Sequence, residues 1–260
     1  MPDNAQKASG SRWVWFHRFG SPEYFYRFAS RWGPRCGWVA LILMLVASYL
    51  GLVVAPPDYQ MGDSYRIIFI HVPSAWMSMF SYTVMAFSAA VGLIWRIKMG
   101  HLVAISIAPL GAAFTFLALV TGSLWGKPTW GTYWIWDARL TSELVLLFLF
   151  LGYLALIASI ENRKTAYQAG AVLALVGVVN IPIIHFSVEW WNTLHQGSTI
   201  TKFDKPSMDT AMLIPLLIMF VAVNFYFLGS LFTRVRCELL ESERNTAWVK
   251  NLAGRYQGNG

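Results

Sequence analysis

The run LVAISIAPLGAAFTFLALVTG, residues 102–122, decides the fold. It has 21 residues and not one charge, and a helix needs about 20 mostly apolar residues to cross the hydrocarbon core of a bilayer. Further runs of this kind lie on either side of it, over residues 37–55, 73–95, 143–160, 166–186 and 210–232. The chain of 260 residues is 56% hydrophobic and only 13% charged, whereas a soluble domain carries about 25% charge. These features predict an all-α, polytopic membrane protein with six transmembrane helices.

Six crossings put both termini on one side, and the basic residues say which. Fifteen of the 20 lysines and arginines fall in the two tails and in the second–third and fourth–fifth connections. The other five, Arg66, Lys127, Arg139, Lys202 and Lys205, fall in the remaining connections. Short cytoplasmic segments are the ones rich in Lys and Arg, so both termini are expected in the cytoplasm. The net charge of +7 then reflects topology and anionic lipid, and no nucleic-acid partner is expected. The first run is not read as a signal peptide, because a long arginine-rich segment precedes it and no small-residue cleavage site follows. Residues 1–35 are read as a cytoplasmic segment, disordered or interfacial, with the aromatic and basic mixture of 12–35 suited to the inner leaflet. Residues 36–233 form the membrane domain and 234–260 a cytoplasmic tail. Cys36 and Cys237 fall at cytoplasmic helix ends, in a reducing compartment where a disulfide is not expected. The chain has no C-x-x-C-H, so it is not itself a c-type cytochrome, and no P-loop, so no ATPase is expected.

Immediately after the decisive run comes WGKPTWGTYWIWD, residues 125–137, within an aromatic segment spanning 123–141. Four tryptophans, a tyrosine and a terminal aspartate at a membrane surface suit a large, flat, greasy ligand. Interfacial tryptophans also serve simply as anchors. Three histidines, His71, His185 and His195, fall on the same outward side, while His17 and His101 fall on the cytoplasmic side. His71 stands just ahead of Pro73, which is expected to open the second helix, since the missing N–H of proline costs nothing in a first turn. His195 lies in the third outward connection. Haem iron takes axial imidazoles on opposite faces of a flat macrocycle, and two histidines from separate connections suit that requirement. A structural role for each is the competing reading, and His185 is read as structural. Trp125, Trp130, Trp134, Trp136 and Asp137 then form the platform. Arg66 and Arg139 are the arginines placed to meet the propionates of the macrocycle, because guanidinium binds carboxylate bidentately. Glu143, four residues after Arg139, is read as its helix-face partner, and Asp137 as a helix cap or an orienting group. No catalytic acid–base pair is evident, so an enzyme is not expected.

The aromatic segment resembles the tryptophan-rich "WWD" segment of the haem-handling superfamily of cytochrome c biogenesis. WDARLTSE (136–143), EWWNTLHQGS (189–198), Ser64-Tyr65-Arg66 and His71-Val72-Pro73 are similar to those of one branch, the CcmC or haem exporter protein C family, over most of 38–232. The resemblance implies a bacterial inner-membrane protein that holds haem b non-covalently at the periplasmic surface between His71 and His195. It also implies hand-over of that haem to the haem chaperone CcmE, alongside the ABC-type subunits CcmA and CcmB and the small membrane protein CcmD. Two other functions stay open on the residues themselves: a haem transporter subunit, and a membrane cytochrome b carrying electrons. The second sits poorly with histidines that lie outside the deep parts of the spans.

Overall fold

The structure is a computed structural model that describes residues 20–195 and 208–257. Gln196, Gly197, Ser198, His17, Lys202 and Lys205 lie outside the described residues. The helices are α1 (Pro22–Tyr49), α2 (Ile68–Ile94), α3 (Lys98–Trp130), α4 (Ala138–Ser159), α5 (Arg163–Gly177), α6 (Asn180–Trp190), α7 (Thr210–Ser242) and α8 (Ala247–Gln257). A π-turn, Leu50–Val54, prolongs α1, and a 3-10 turn, Asp63–Ile67, leads into α2. Six of the resulting segments are long and apolar enough to cross a membrane, with α5 and α6 together making the fifth. Their outer faces carry large apolar side chains, among them Ile42, Leu45, Phe87, Phe116, Phe148 and Val176. Apolar exposure on this scale suits lipid rather than water as the solvent.

Local sequence sets the helix ends. Asp137, Asn162 and Asp209 are N-caps whose side chains accept from the backbone N–H of Leu140, Thr165 and Ala211, the usual device for the orphan donors of a first turn. Gly131 ends α3 in the left-handed region at φ 80°, its N–H returning to the Lys127 carbonyl. Glycine adopts that conformation without a Cβ penalty. The fifth span breaks between Gly177 and Asn180. Pro182 has no N–H to offer the carbonyl four residues back, and the Asn180 side-chain amide donates across to the Ser142 carbonyl on α4 instead.

Two boundaries differ from those read off the hydropathy. The first helix begins at Pro22, so residues 22–35 continue directly into the first span; residues 12–19 lie outside the described residues. The second helix begins at Ile68, and Pro73 lies inside it. In both cases helical hydrogen bonding runs past the apolar core of the span.

The start of α1 and the end of α7 meet at one end of the bundle. Tyr26 packs on Trp248 at 5.6 Å between ring centres, with Arg236 over the Tyr26 ring. Lys98 pairs with Glu243, and Arg163 with Glu241 at 2.9 Å, so the starts of α3 and α5 share this end. The aromatic segment lies at the opposite end. Within the core, the fully buried Phe150 of α4 sits against Gly111 of α3 and edge-on to Tyr82 of α2. A methyl group on Gly111 would overlap that ring. Gly111→Ala is therefore expected to destabilise the bundle by about 1–3 kcal/mol, the usual cost of overpacking. A lowered midpoint of thermal unfolding in detergent checks this, and an unchanged midpoint would contradict the contact.

Candidate functional site

A cleft of about 810 Å³, its open mouth included, lies between α2, α3 and α4 at the aromatic end, with His195 contributing to its wall. α2 supplies His71, Ala75 and Met79. α3 supplies Gly122, Trp125 and Trp130, and α4 supplies Arg139, Leu140 and Glu143. The spans, together with the segment after α6 that carries His195, thus bring two imidazoles, two indoles, a guanidinium and a carboxyl to one space.

His71 is in the first turn of α2 and leans onto α3. Its Nδ1 is 3.1 Å from the Ala118 carbonyl oxygen and 3.2 Å from Thr121 Oγ1. A carbonyl only accepts. The Thr121 hydroxyl gives its hydrogen to the Leu117 carbonyl at 2.7 Å, so it too is an acceptor toward the ring. Nδ1 therefore carries the hydrogen, and Nε2 of the neutral ring keeps its lone pair. A partner that fixes the tautomer in this way is the usual second-shell support of a metal-binding histidine. The ring lies so close to α3 that a Cβ on Gly122 would come within 2.9 Å of His71 Cε1. Sequence reading named neither Thr121 nor Gly122. Both sit immediately ahead of the aromatic segment, and nothing in their spacing marks them as supports for a histidine on another helix.

His195, some 120 residues further on, faces His71 with 6.3 Å between ring centres and 38° between planes. Two imidazoles bound on opposite sides of one metal, at about 2 Å each, have ring centres about 6 Å apart. The arrangement fits an axial pair. Trp125 meets the His71 ring edge-on at 5.7 Å, and Trp130 lies 6.3 Å from the His195 ring. Each histidine thus has its own indole wall. The Trp125 indole N–H is buried and has no hydrogen-bond partner among the described residues, so a donor stands ready for an acceptor on a bound molecule.

Arg139 makes one hydrogen bond, from Nη1 to the Ile184 carbonyl at 3.3 Å, and enters no ion pair among the described residues. A guanidinium on a cleft wall with no direct ion pair among the described residues suits an anionic ligand. Glu143 does not close an ion pair with it, contrary to the helix-face pairing expected from their spacing. Instead its Oε1 is 2.6 Å from Ser78 Oγ on α2.

Not every residue singled out from the sequence converges here. Arg66 is turned away. Its guanidinium donates to the Gly51 and Ala55 carbonyls at 2.6 and 3.0 Å and pairs with Asp63 at 2.8 Å. It thereby satisfies backbone carbonyls at the end of the first span. Trp134 and Trp136 pack edge-on at 5.4 Å just beyond the cleft, and Trp136 is 77% exposed. Asp137 caps α4 through one oxygen, while the other is buried without a hydrogen-bond partner among the described residues. The aromatic segment is thus half helix, through Trp130, and half extended chain. His185 packs on Phe186, and His101 stacks on Tyr167 near the opposite end. Trp190 stacks on Phe186, away from the cleft. The described residues contain no group of three or more His, Cys, Asp or Glu able to hold a bare metal ion. Two imidazoles suit a metal whose other ligands arrive with it.

Comparison with known proteins shows the family of the chain. The family model for CcmC, Heme exporter protein C, matches residues 15–250. The "Heme exporter protein C" of Haemophilus influenzae is 48% identical over 241 residues, which is 93% of this chain and 98% of that protein. Its counterpart in Escherichia coli strain K12 is 47% identical over 242 residues, 92% and 97% of the two chains. A cytochrome c biosynthesis ccmC-like mitochondrial protein of Marchantia polymorpha is 45% identical over 190 residues, 73% of this chain and 79% of that one. With a family model covering most of the chain and relatives matched almost end to end, this six-span chain belongs to the heme exporter protein C family, CcmC, of cytochrome c biogenesis.

Proposed function

We propose that the chain holds haem b non-covalently in the cleft at the outward face of the bacterial inner membrane and presents it to the haem chaperone CcmE. The facing pair His71 and His195, brought together from distant segments at 6.3 Å between ring centres, carries this reading. Haem supplies an iron with two free axial positions and a planar macrocycle edged by two propionates. His71 Nε2 and His195 are its axial ligands. Trp125 and Trp130 give the macrocycle its walls, and Trp134, Trp136 and Asp137 extend the platform to the rim. Arg139 and the Trp125 N–H receive propionate oxygens. The structure leaves Arg66 to hold the end of the first span. Haem is cargo here rather than a resident cofactor, so the work of the chain is binding and orientation, and no residue in the cleft is assigned an acid–base role. The aromatic end faces the periplasm on the charge bias of the connections. Family membership supports partnership with CcmA, CcmB and CcmD. A transporter role has the break in the fifth span in its favour, but there Asn180 is engaged by the Ser142 carbonyl rather than lining the cleft.

His71→Gly and His195→Gly are each expected to abolish the low-spin haem spectrum of protein purified after co-expression with CcmE, while membrane insertion persists. Full haem with an unchanged spectrum in both variants would overturn the axial assignment. Gly122→Ala is expected to push the His71 ring off α3 and weaken haem retention about 10–100-fold, as loss of metal second-shell support does. Titration of the detergent-purified protein with haem measures this. Added imidazole is expected to restore part of the low-spin band, because a free ligand needs no tether.

A further inference from the structure

The proposed binding mode divides the ligand between two helices, with His71 of α2 at the metal and Arg139 of α4 at the acidic side chains. The separation of those helices is then a determinant of what fits. Among the described residues, one side-chain hydrogen bond joins them, Ser78 Oγ to Glu143 Oε1 at 2.6 Å. Ser78 is fully buried and Glu143 is 8% exposed. Directly below, the Tyr82 and Phe150 rings meet edge-on at 5.0 Å, so a polar pin sits on an aromatic bolt.

The register gives the pin its leverage. His71, Ala75, Ser78 and Met79 follow one face of α2, and Arg139, Leu140 and Glu143 one face of α4. At 1.5 Å per residue, Ser78 lies about 10 Å along the axis from His71, and Glu143 about 6 Å from Arg139. The residues above the pin on both helices, His71 and Ala75 on α2 and Arg139 and Leu140 on α4, line the cleft, and Glu143 lines it at the level of the pin. A carboxyl group at this depth in a spanning helix is costly unless hydrogen-bonded. Apolar packing would hold two helices together without it, so a polar pin at this level asks for a reason beyond adhesion. A hydrogen bond has a narrow distance range that apolar contact lacks.

We propose that Glu143, held by Ser78, is a positioning residue that sets the separation of His71 from Arg139 and so matches the cleft to a metal macrocycle bearing acidic side chains. The inference rests on the haem-binding reading above. The pin acts through hydrogen-bond length, not charge. Glutamine, which keeps an oxygen and adds an amide donor of nearly the same reach, preserves it, whereas alanine removes it.

The test titrates the detergent-purified full chain with haem and with haem dimethyl ester, whose propionates are esterified, while following the low-spin band. The wild type is expected to prefer free haem by about tenfold, the usual scale of a hydrogen bond to a charged group. Glu143→Ala and Ser78→Ala are expected to bring that preference close to one while the bis-imidazole band persists. Glu143→Gln is expected to restore it. A merely structural role would weaken both probes alike and leave their ratio unchanged, and that outcome overturns the proposal. So does a Glu143→Gln variant as impaired as Glu143→Ala, which would make Glu143 a charge partner of Arg139 instead. Ser78→Ala serves as the test should Glu143→Ala fail to fold. A wild type that binds neither probe overturns the haem-binding reading itself. A wild type that binds both equally removes Arg139 from the propionates, and the pin proposal with it.

Discussion

The contact of His71 Nδ1 with the Ala118 carbonyl oxygen at 3.1 Å joins α2 to α3 where the cleft begins, and the site is organised around it. It consumes the one hydrogen of a neutral imidazole and leaves the lone pair on Nε2, in a ring whose centre lies 6.3 Å from that of His195. It also ties the ring to backbone rather than to a mobile side chain. The acceptor is a carbonyl whose own helix is held on both sides of it, and Thr121 shares the load with its hydroxyl hydrogen already committed to Leu117. Gly122 makes room for this arrangement. An imidazole so fixed loses little freedom on binding, which favours retention of a ligand at the protein surface.

The bilayer explains why so many helix-borne polar groups converge in one place. Within hydrocarbon, each polar group needs a partner inside the protein. Ser106, Thr115 and Thr121 accordingly return their hydroxyls to their own helices. Arg139, Glu143 and the Trp125 N–H stand apart from that pattern, because their partners lie across helices or are absent among the described residues. The same cleft collects all three. Polarity that the fold does not use for itself is the physical mark of a site that something else completes.

The six spans, their number and their connections were legible in the sequence, because an apolar run of about 20 residues has one economical structure in lipid. The aromatic segment was legible as a unit, and its termini follow from Gly131 and Asp137, a left-handed helix stop and an N-cap. His71 and His195 stood out because both were expected at the same end of the spans as the aromatic segment. The helix boundaries near Pro22 and Ile68 did not, since hydropathy marks where lipid begins and not where helical hydrogen bonding does. Arg66 and Arg139 looked equivalent in the sequence. The structure separates them, one bound to backbone carbonyls of the first span and the other on the cleft wall.

By itself, then, the sequence determined the solvent of this protein, its helices, and the chemical kinds of group on its aromatic side. Composition and periodicity are properties of the chain, and the bilayer reads them directly. Which groups meet was decided only by tertiary structure. The 6.3 Å approach of His71 to His195, the support from Thr121 and Gly122, and the crossing from Ser78 to Glu143 all depend on how helices distant in sequence are spaced and rotated against one another. That spacing comes from side-chain packing between α2, α3 and α4, around Tyr82, Gly111 and Phe150, and no local pattern in any one helix encodes it.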